Sequence, residues 1–264
     1  MKSMTQFTFV PESNTETIER LRDQYLADLP FAQEYYIELM LNRAGLYVIK
    51  SAEDPVGYFF LSADACLLEY YLAPQHFPEI DSVFGKILGD FKVEKALCKS
   101  FDASLLSCCS QYHKSFRPTG ILFREYHKQP AIHSPGTLSI RLAIPSDEPN
   151  IVTINEEVFD DPSEVISYIT SHQLFIYEKE SNLVGFGIFS RIIPGRKDYD
   201  VGMLIHPSFR GKGYGQYIIQ HLVDFCHENG WNPVAGCEYR NTASRRCLEK
   251  SGFVARHRLF EFSF

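Results

Sequence analysis

From Val201 to Gly215 the chain reads Val-Gly-Met-Leu-Ile-His-Pro-Ser-Phe-Arg-Gly-Lys-Gly-Tyr-Gly. This stretch limits the possible folds more than any other. An apolar run suited to a strand ends at Ile205, Pro207 imposes a turn, and Gly211, Gly213 and Gly215 then open a helix predicted over Gly213–Asn229. The apolar residues Ile218, Ile219, Leu222, Val223 and Cys226 recur at helical spacing, and Gly230 stands where a terminating glycine belongs. A strand running through a glycine turn into a helix is an anion cradle. Glycine lets the main chain approach a phosphate closely. The first helical turn has N–H groups without intrahelical acceptors, and the helix dipole favours negative charge there. Arg210 and Lys212 add cationic side chains. The pattern therefore favours a diphosphate at this turn, with Arg210, Gly211, Lys212, Gly213, Tyr214, Gly215 and Gln216 as the candidate binding residues.

The segment is not a nucleotide-triphosphatase loop, which needs four residues between its first glycine and Gly-Lys-Ser/Thr. It is also a poor dinucleotide fingerprint, because its glycines fall at GxGxG and no acidic strand end follows about twenty residues later.

The rest of the second half predicts strands at Leu138–Ala143, Leu174–Lys179, Leu183–Arg191, Tyr199–Ile205, Pro233–Glu238 and Phe253–Phe262. Helices are predicted at Ser146–Phe159, capped by Ser146, at Pro162–Thr170 and at Thr242–Lys250. The first half follows a similar order. Helices are expected at Thr15–Leu29, Ala32–Asn42, His76–Phe91 and Ala103–His113, and strands at Leu46–Lys50, Gly57–Ser62, Leu67–Leu72, Val93–Lys99 and Gly120–Tyr126. Leu46-Tyr-Val-Ile and Val56-Gly57 match Leu174-Phe-Ile-Tyr and Val184-Gly185 at one constant offset, and Pro74 matches Pro207. This is the signature of an internal repeat. The polar, proline-bearing stretch His127–Gly136 sets the boundary between a first domain, 1–130, and a second, 131–264. The fold class expected is α/β (α+β by some schemes), with a mixed, mostly antiparallel sheet flanked by helices.

A net charge of −7 argues against nucleic acid as the main partner. Seven cysteines without a CxxC pair suggest reduced thiols rather than a disulfide framework, and no metal is expected. No apolar run is long enough for a membrane span, and the first residues lack an apolar signal core, so a cytoplasmic protein is expected.

Arg210-Gly-Lys-Gly-Tyr-Gly215 resembles the Arg/Gln-x-x-Gly-x-Gly/Ala loop of the GNAT superfamily of acyl-CoA N-acyltransferases. Asn241-Thr-Ala-Ser244 followed by Leu248-Glu-Lys-Ser-Gly252-Phe253 is similar to that family's second signature. The resemblance covers Leu138 to the C-terminus and implies the GNAT fold, which the repeat would present twice. It also implies acetyl-CoA as cosubstrate, with its pantetheine arm lying along Met203, Leu204 and Ile205 between two parted strands. Its diphosphate would rest on the glycine loop, with Asn241 and Ser244 contacting the arm. The family tyrosine that protonates the departing thiolate is replaced by Leu248, so Tyr239 and Cys247 are alternatives.

The reaction implied is acetyl transfer to a primary amine of a small molecule by direct attack. Glu238 is the first candidate base, followed by Asp200 and Asp198, while His206 fits a loop cap. Where the first half should carry the phosphate loop it reads Gln75-His-Phe-Pro-Glu-Ile-Asp81, with no glycine and with Glu79 and Asp81 in place of cations. That domain is expected to have lost cofactor binding. It is left to wall the acceptor pocket, recognise substrate or pair two chains as a homodimer. A non-catalytic acyl-CoA sensor and a protein N-acetyltransferase stand as alternatives.

Overall fold

The computed structural model describes residues 6–130, 134–155, 158–159 and 161–264. In chain order the elements are β1 (Phe7–Glu12), α1 (Glu19–Asp28), α2 (Tyr35–Leu41), β2 (Gly45–Ser51), β3 (Asp54–Leu61), β4 (Cys66–Leu72), α3 (Ile80–Asp90), β5 (Lys95–Lys99), α4 (Ala103–Tyr112) and β6 (Ser115–Phe123). There follow β7 (Ser139–Leu142), α5 (Glu148–Ile154), α6 (Pro162–Thr170), β8 (Leu174–Lys179), β9 (Asn182–Arg191), β10 (Asp198–Ile205), α7 (Tyr214–Glu228), β11 (Asn232–Glu238), α8 (Thr242–Ser251) and β12 (His257–Ser263). The class is the mixed α/β one expected. Most strand pairs are antiparallel, and β4–β5 and β10–β11 pair parallel. Among the described residues no helix is long and apolar enough to cross a membrane.

The chain packs as two units, residues up to Ile121 together with His257–Phe264, and Leu122–Arg256. The polar connector His127–Gly136 marks a change of domain in the sequence, whereas the compact units part a few residues earlier, inside β6. Residues 131–133 of that connector lie outside the described residues. The last strand also departs from a simple halving of the chain, because β12 pairs antiparallel with β5, from Leu259↔Lys99 to Ser263↔Lys95. Its Phe262 enters the first unit's core beside Leu67, Phe84, Ile87 and Leu105. Burial of that apolar face, a contact distant in sequence, decides where the strand goes.

The first unit's strands run in the order β1-β2-β3-β4-β5-β12-β6, and the second unit's in the order β11-β10-β9-β8-β7. Strand β1 was not anticipated. Phe7 is buried and Phe9 packs on the core. As the sheet's edge, paired on one side with β2, it tolerates a proline. The expected strand Phe253–Phe262 starts only at His257. Gly252 closes α8 in a left-handed conformation, and Phe253 makes a single bridge to Tyr126. The predicted cap at Ser146 is replaced. Asp147 accepts from the Ile144 N–H at 2.8 Å and is clamped by both Arg141 amino groups at 2.6 and 2.8 Å. That clamp holds the Asp147 carboxyl below its ordinary range. The helix there ends at Ile154, and residues 156 and 157 of the predicted span lie outside the described residues.

The repeat is physical as well as textual. Gly57 on β3 and Gly185 on β9 are glycine for one reason: a Cβ would fall 2.4 Å from the Tyr71 carbonyl oxygen in one unit and 2.2 Å from the Leu204 oxygen in the other. Just past β4 and β10, Ala73 N–H donates to Val56 O at 2.8 Å and His206 N–H to Val184 O at 2.9 Å. Asp102 and Asn241 cap α4 and α8, accepting from Leu105 N–H at 3.2 Å and Ser244 N–H at 2.9 Å. These pairs align Tyr71 with Leu204, Glu69 with Gly202, and Lys99 with Glu238, since the Lys99 and Glu238 carbonyls accept from the capping residues' N–H groups.

Candidate active site

In the second unit β10 follows β9 along its whole length, from Tyr199↔Arg191 to Ile205↔Gly185. Its ladder with β11 ends after Asp198↔Asn232, Tyr199↔Pro233 and Asp200↔Val234. Beyond that point the two parallel strands part. Main-chain groups alternate in direction along a strand. His206 N–H points to β9, so Leu204 does as well, while Met203 and Ile205 turn theirs toward the opening. Of the three residues expected along the pantetheine arm, Met203 and Ile205 therefore present backbone to the gap. Leu204 turns its carbonyl to Gly185, and its side chain packs against the core beneath α5 and α6.

At the mouth of the opening Pro207–Phe209 form a single 3-10 turn, and Gly211 (φ 73°) and Gly213 (φ 88°) carry the chain into α7 through left-handed torsions. Any residue with a Cβ is strained at such angles. Among the described residues no acceptor meets the amides of Gly211, Lys212 or Gly213. Those of Tyr214, Gly215 and Gln216 belong to the first turn of a 15-residue helix whose cap, Gly213, offers no side-chain acceptor. Gly215 serves packing instead, because a Cβ there would meet Cys247 Sγ at 3.1 Å and Met203 Cε at 3.2 Å.

The side chains of the loop mostly brace it. Arg210 Nε donates to Ile205 O at 3.0 Å. Lys212 Nζ donates to Ser208 O at 2.8 Å and lies 5.5 Å from the Phe209 ring centre. Tyr214 is buried, with its hydroxyl donating to Pro135 O at 3.3 Å, and Gln216 Nε2 donates to Lys250 O at 2.9 Å. What these residues turn outward is main chain. His206 caps the turn as expected, accepting from Ser208 N–H at 3.2 Å.

Asn241 stands at the start of α8, with its carbonyl oxygen committed to the Ser244 amide. Leu248 is 3% exposed and fills core. Cys247 faces the first turn of α7, and burial pushes its thiol up to about 11. Glu238 is exposed at the end of β11, and Tyr239 follows it, also exposed. Asp200 lies at the last β10–β11 pair. By strand alternation Asp200, Gly202 and Leu204 share one face with Val234, Gly236 and Glu238, opposite the face covered by α7. Four residues, about 13 Å of strand, separate the Val234 level from Glu238, so Asp200 and Glu238 do not form a bonded pair. Asp198 accepts from Asn232 Nδ2 at 3.3 Å, a strand-end role. Ser190, opposite Asp200 on β9, is buried, and its hydroxyl has no hydrogen-bond partner among the described residues. Among the described residues no cluster of His, Cys, Asp and Glu could hold a metal.

Gly202 and Gly236 were overlooked in the sequence. The available signal was a lone glycine inside an apolar strand pattern, which marks a bulge or a close approach.

In the first unit the matching turn, Pro74–Glu79, has no glycine, and α3 opens on Ile80 and Asp81. Here β4 and β5 pair only at Cys66↔Lys95 and Leu67↔Ala96 before they too part. The gap is filled by side chains. Gln33 donates to Glu69 at 2.8 Å and accepts from Lys99 at 2.6 Å. Tyr58 at 2.7 Å and Arg22 at 3.1 Å complete Glu69, while Tyr25 at 2.6 Å and Asp102 at 3.6 Å complete Lys99.

Comparison with known proteins adds the following. A family model described as Acetyltransferase (GNAT) domain matches residues 14–126, and one described as Acetyltransferase (GNAT) family matches residues 145–253. No curated protein matches the chain. Among solved structures, the chain is similar to an acetyltransferase from the GNAT family of Colwellia psychrerythraea (17% identity, TM-score 0.88, covering 97% of this chain and 99% of that one). It is also similar to a GCN5-related N-acetyltransferase from Sphaerobacter thermophilus (14%, TM-score 0.66, 97% and 94%). A tandem GNAT protein from the clavulanic acid biosynthesis pathway matches over 98% of both chains at 12% identity and TM-score 0.62. At these identities the likeness speaks for the fold.

Proposed function

Because the chain belongs to the GNAT family of acetyltransferases, with two GNAT domains in tandem, we propose that its second unit binds acetyl-CoA and transfers the acetyl group to a primary amine of a small molecule. The observation that carries this reading is the run of amides from Gly211 to Gln216, without acceptors among the described residues or along the helix, at the mouth of the parted strands β10 and β11.

Acetyl-CoA supplies a thioester whose carbonyl carbon accepts the amine. The chain does the rest. The loop amides hold the diphosphate. Met203 and Ile205 turn main-chain groups into the gap, where an N–H polarises the thioester carbonyl. Glu238, exposed at the strand end, takes the proton the amine loses as the C–N bond forms, directly or through one water. As the C–S bond breaks, Tyr239 or water returns a proton to the thiolate. Asp200 is the second candidate base, and Asn241 and Ser244 flank the arm. The first unit is a degenerate copy that recognises substrate or pairs two chains. A reducing cytoplasm suits the seven free cysteines.

A second reading, a sensor that binds acyl-CoA without turnover, draws on Leu248, buried where a proton donor is usual. Incubating the protein with acetyl-CoA and a panel of amines separates the two. Free thiol appears with at least one amine if the protein is an enzyme, and none appears with a sensor. Glu238→Gln should lower kcat/KM by about 100-fold or more. An unchanged rate across pH would move the base to Asp200.

A further inference from the structure

Helix α8 connects the two ends of the proposed cofactor site. Its cap, Asn241, donates from its N–H to Glu238 O at 3.0 Å, which ties the start of the helix to the outer end of β11. Its other end meets the glycine loop, where Gln216 Nε2 donates to Lys250 O at 2.9 Å. The ten residues of the helix span about 15 Å between these points. A cofactor with its thioester between the parted strands and its diphosphate on the loop amides therefore runs beside α8. The rest of its nucleotide emerges by the last turns of that helix.

Those turns carry two cations. Arg246 and Lys250 are exposed and stand four residues apart, one above the other on one side of α8, where like charges repel. Cys247 shows which side this is. Its sulfur would lie 3.1 Å from a Cβ at Gly215, so it faces the first turn of α7, while Leu248 and Ser251 are buried. Burial raises the Cys247 thiol, and the Lys250 ammonium is near enough to oppose that rise. Among the described residues neither Arg246 nor Lys250 makes a hydrogen bond or an ion pair. Their neighbours are committed: Arg245 Nε donates to Glu249 at 2.9 Å, Arg210 Nε to Ile205 O and Lys212 Nζ to Ser208 O. The loop thus offers neutral amides to a diphosphate, and α8 offers two charges beyond it. A phosphate monoester, close to a dianion at neutral pH, matches a guanidinium and an ammonium so placed. Coenzyme A carries one, on the 3′ position of its ribose.

We propose that Arg246 and Lys250 bind the 3′-phosphate of coenzyme A and make the second unit select the coenzyme over its 3′-dephospho form. The proposal rests on the reading of the second unit as an acetyl-CoA site.

The experiment measures by calorimetry the Kd of acetyl-CoA and of acetyl-3′-dephospho-CoA, which differ only in that phosphate. It compares the native protein with Arg246→Gln, Lys250→Gln, the double variant and, as a control on the same helix, Arg245→Gln. The native protein should bind acetyl-CoA about tenfold or more tightly than the dephospho form. The double variant should bind both alike, at the native dephospho-CoA level, and each single variant should fall between. Arg245→Gln should keep the native ratio. An unchanged dephospho-CoA Kd shows that each variant is folded. If the native protein does not distinguish the two ligands, or if the double variant still does, the proposal falls and the acetyl-CoA reading stands. Loss of dephospho-CoA binding in the double variant would also overturn it, because the two residues would then act on more than that phosphate. If the native protein binds neither ligand, both readings fall.

Discussion

The two units share one scaffold and differ in what lies between their parted strands. In both, a glycine on the preceding strand yields to a close carbonyl and a main-chain bond fixes the strand's end. In the second unit the gap is floored by Gly202 and reaches a loop whose amides lack protein acceptors. In the first unit Glu69 and Lys99 stand at the aligned positions, both 0% exposed, and Gln33 bonds to both across the gap. Where the second unit has an opening, the first has a bonded polar network of side chains. The difference lies in a few side chains and one turn, which is why one unit is read as catalytic and the other as a support.

The network is the more fragile side of this contrast, and breaking it should give the largest effect. Lys99→Met removes one ion and leaves Asp102 buried without its cation, so stability should fall by about 3–5 kcal/mol. Chemical denaturation would measure that loss and calorimetry the acetyl-CoA Kd, which should not move. An unchanged unfolding midpoint would mean that the network does not hold the first unit's strands. Gly213→Asp attacks the open side. It places a Cβ at φ 88° and a negative charge where the diphosphate is proposed to rest. Acetyl-CoA affinity should fall by about 100-fold, close to 3 kcal/mol, with the fold intact. The native protein should bind one acetyl-CoA per chain. Retained affinity, or two equivalents bound, would erase the distinction between the units.

What was legible in the sequence was local. Arg210–Gly215 and Asn241–Ser244 can be read because a glycine turn and a helix cap declare themselves within a few residues. The repeat was visible through Gly57 and Gly185, which meet the same steric demand. Nonlocal features were hidden. The departure of β12 to the first unit is decided by Phe262 finding a core distant in sequence, and the role of Gln33 appears only when Glu69 and Lys99 are brought to either side of it. Arg210 and Lys212 were legible as cations, and the fold adds that Nε of one and Nζ of the other donate to the carbonyls of Ile205 and Ser208.

The smallest effect concerns Leu248, where the second unit departs from its family. Cys247 is adjacent and faces the first turn of α7, so it invites assignment as the replacement acid. Energetics argue against it. Its thiol is pushed up to about 11 by burial, whereas an ordinary thiol sits near 8.5, so moving its proton to a departing thiolate is uphill by about 3 kcal/mol. Tyr239, exposed next to Glu238 at the end of β11, is the alternative donor. Cys247→Ala should therefore leave kcat within about twofold and cost mainly packing beside Gly215, while Tyr239→Phe should slow turnover more when thiolate departure is limiting. A large fall in kcat for Cys247→Ala, with the acetyl-CoA Kd intact, would return the proton to the thiol and make the loss of tyrosine at position 248 a substitution by its neighbour.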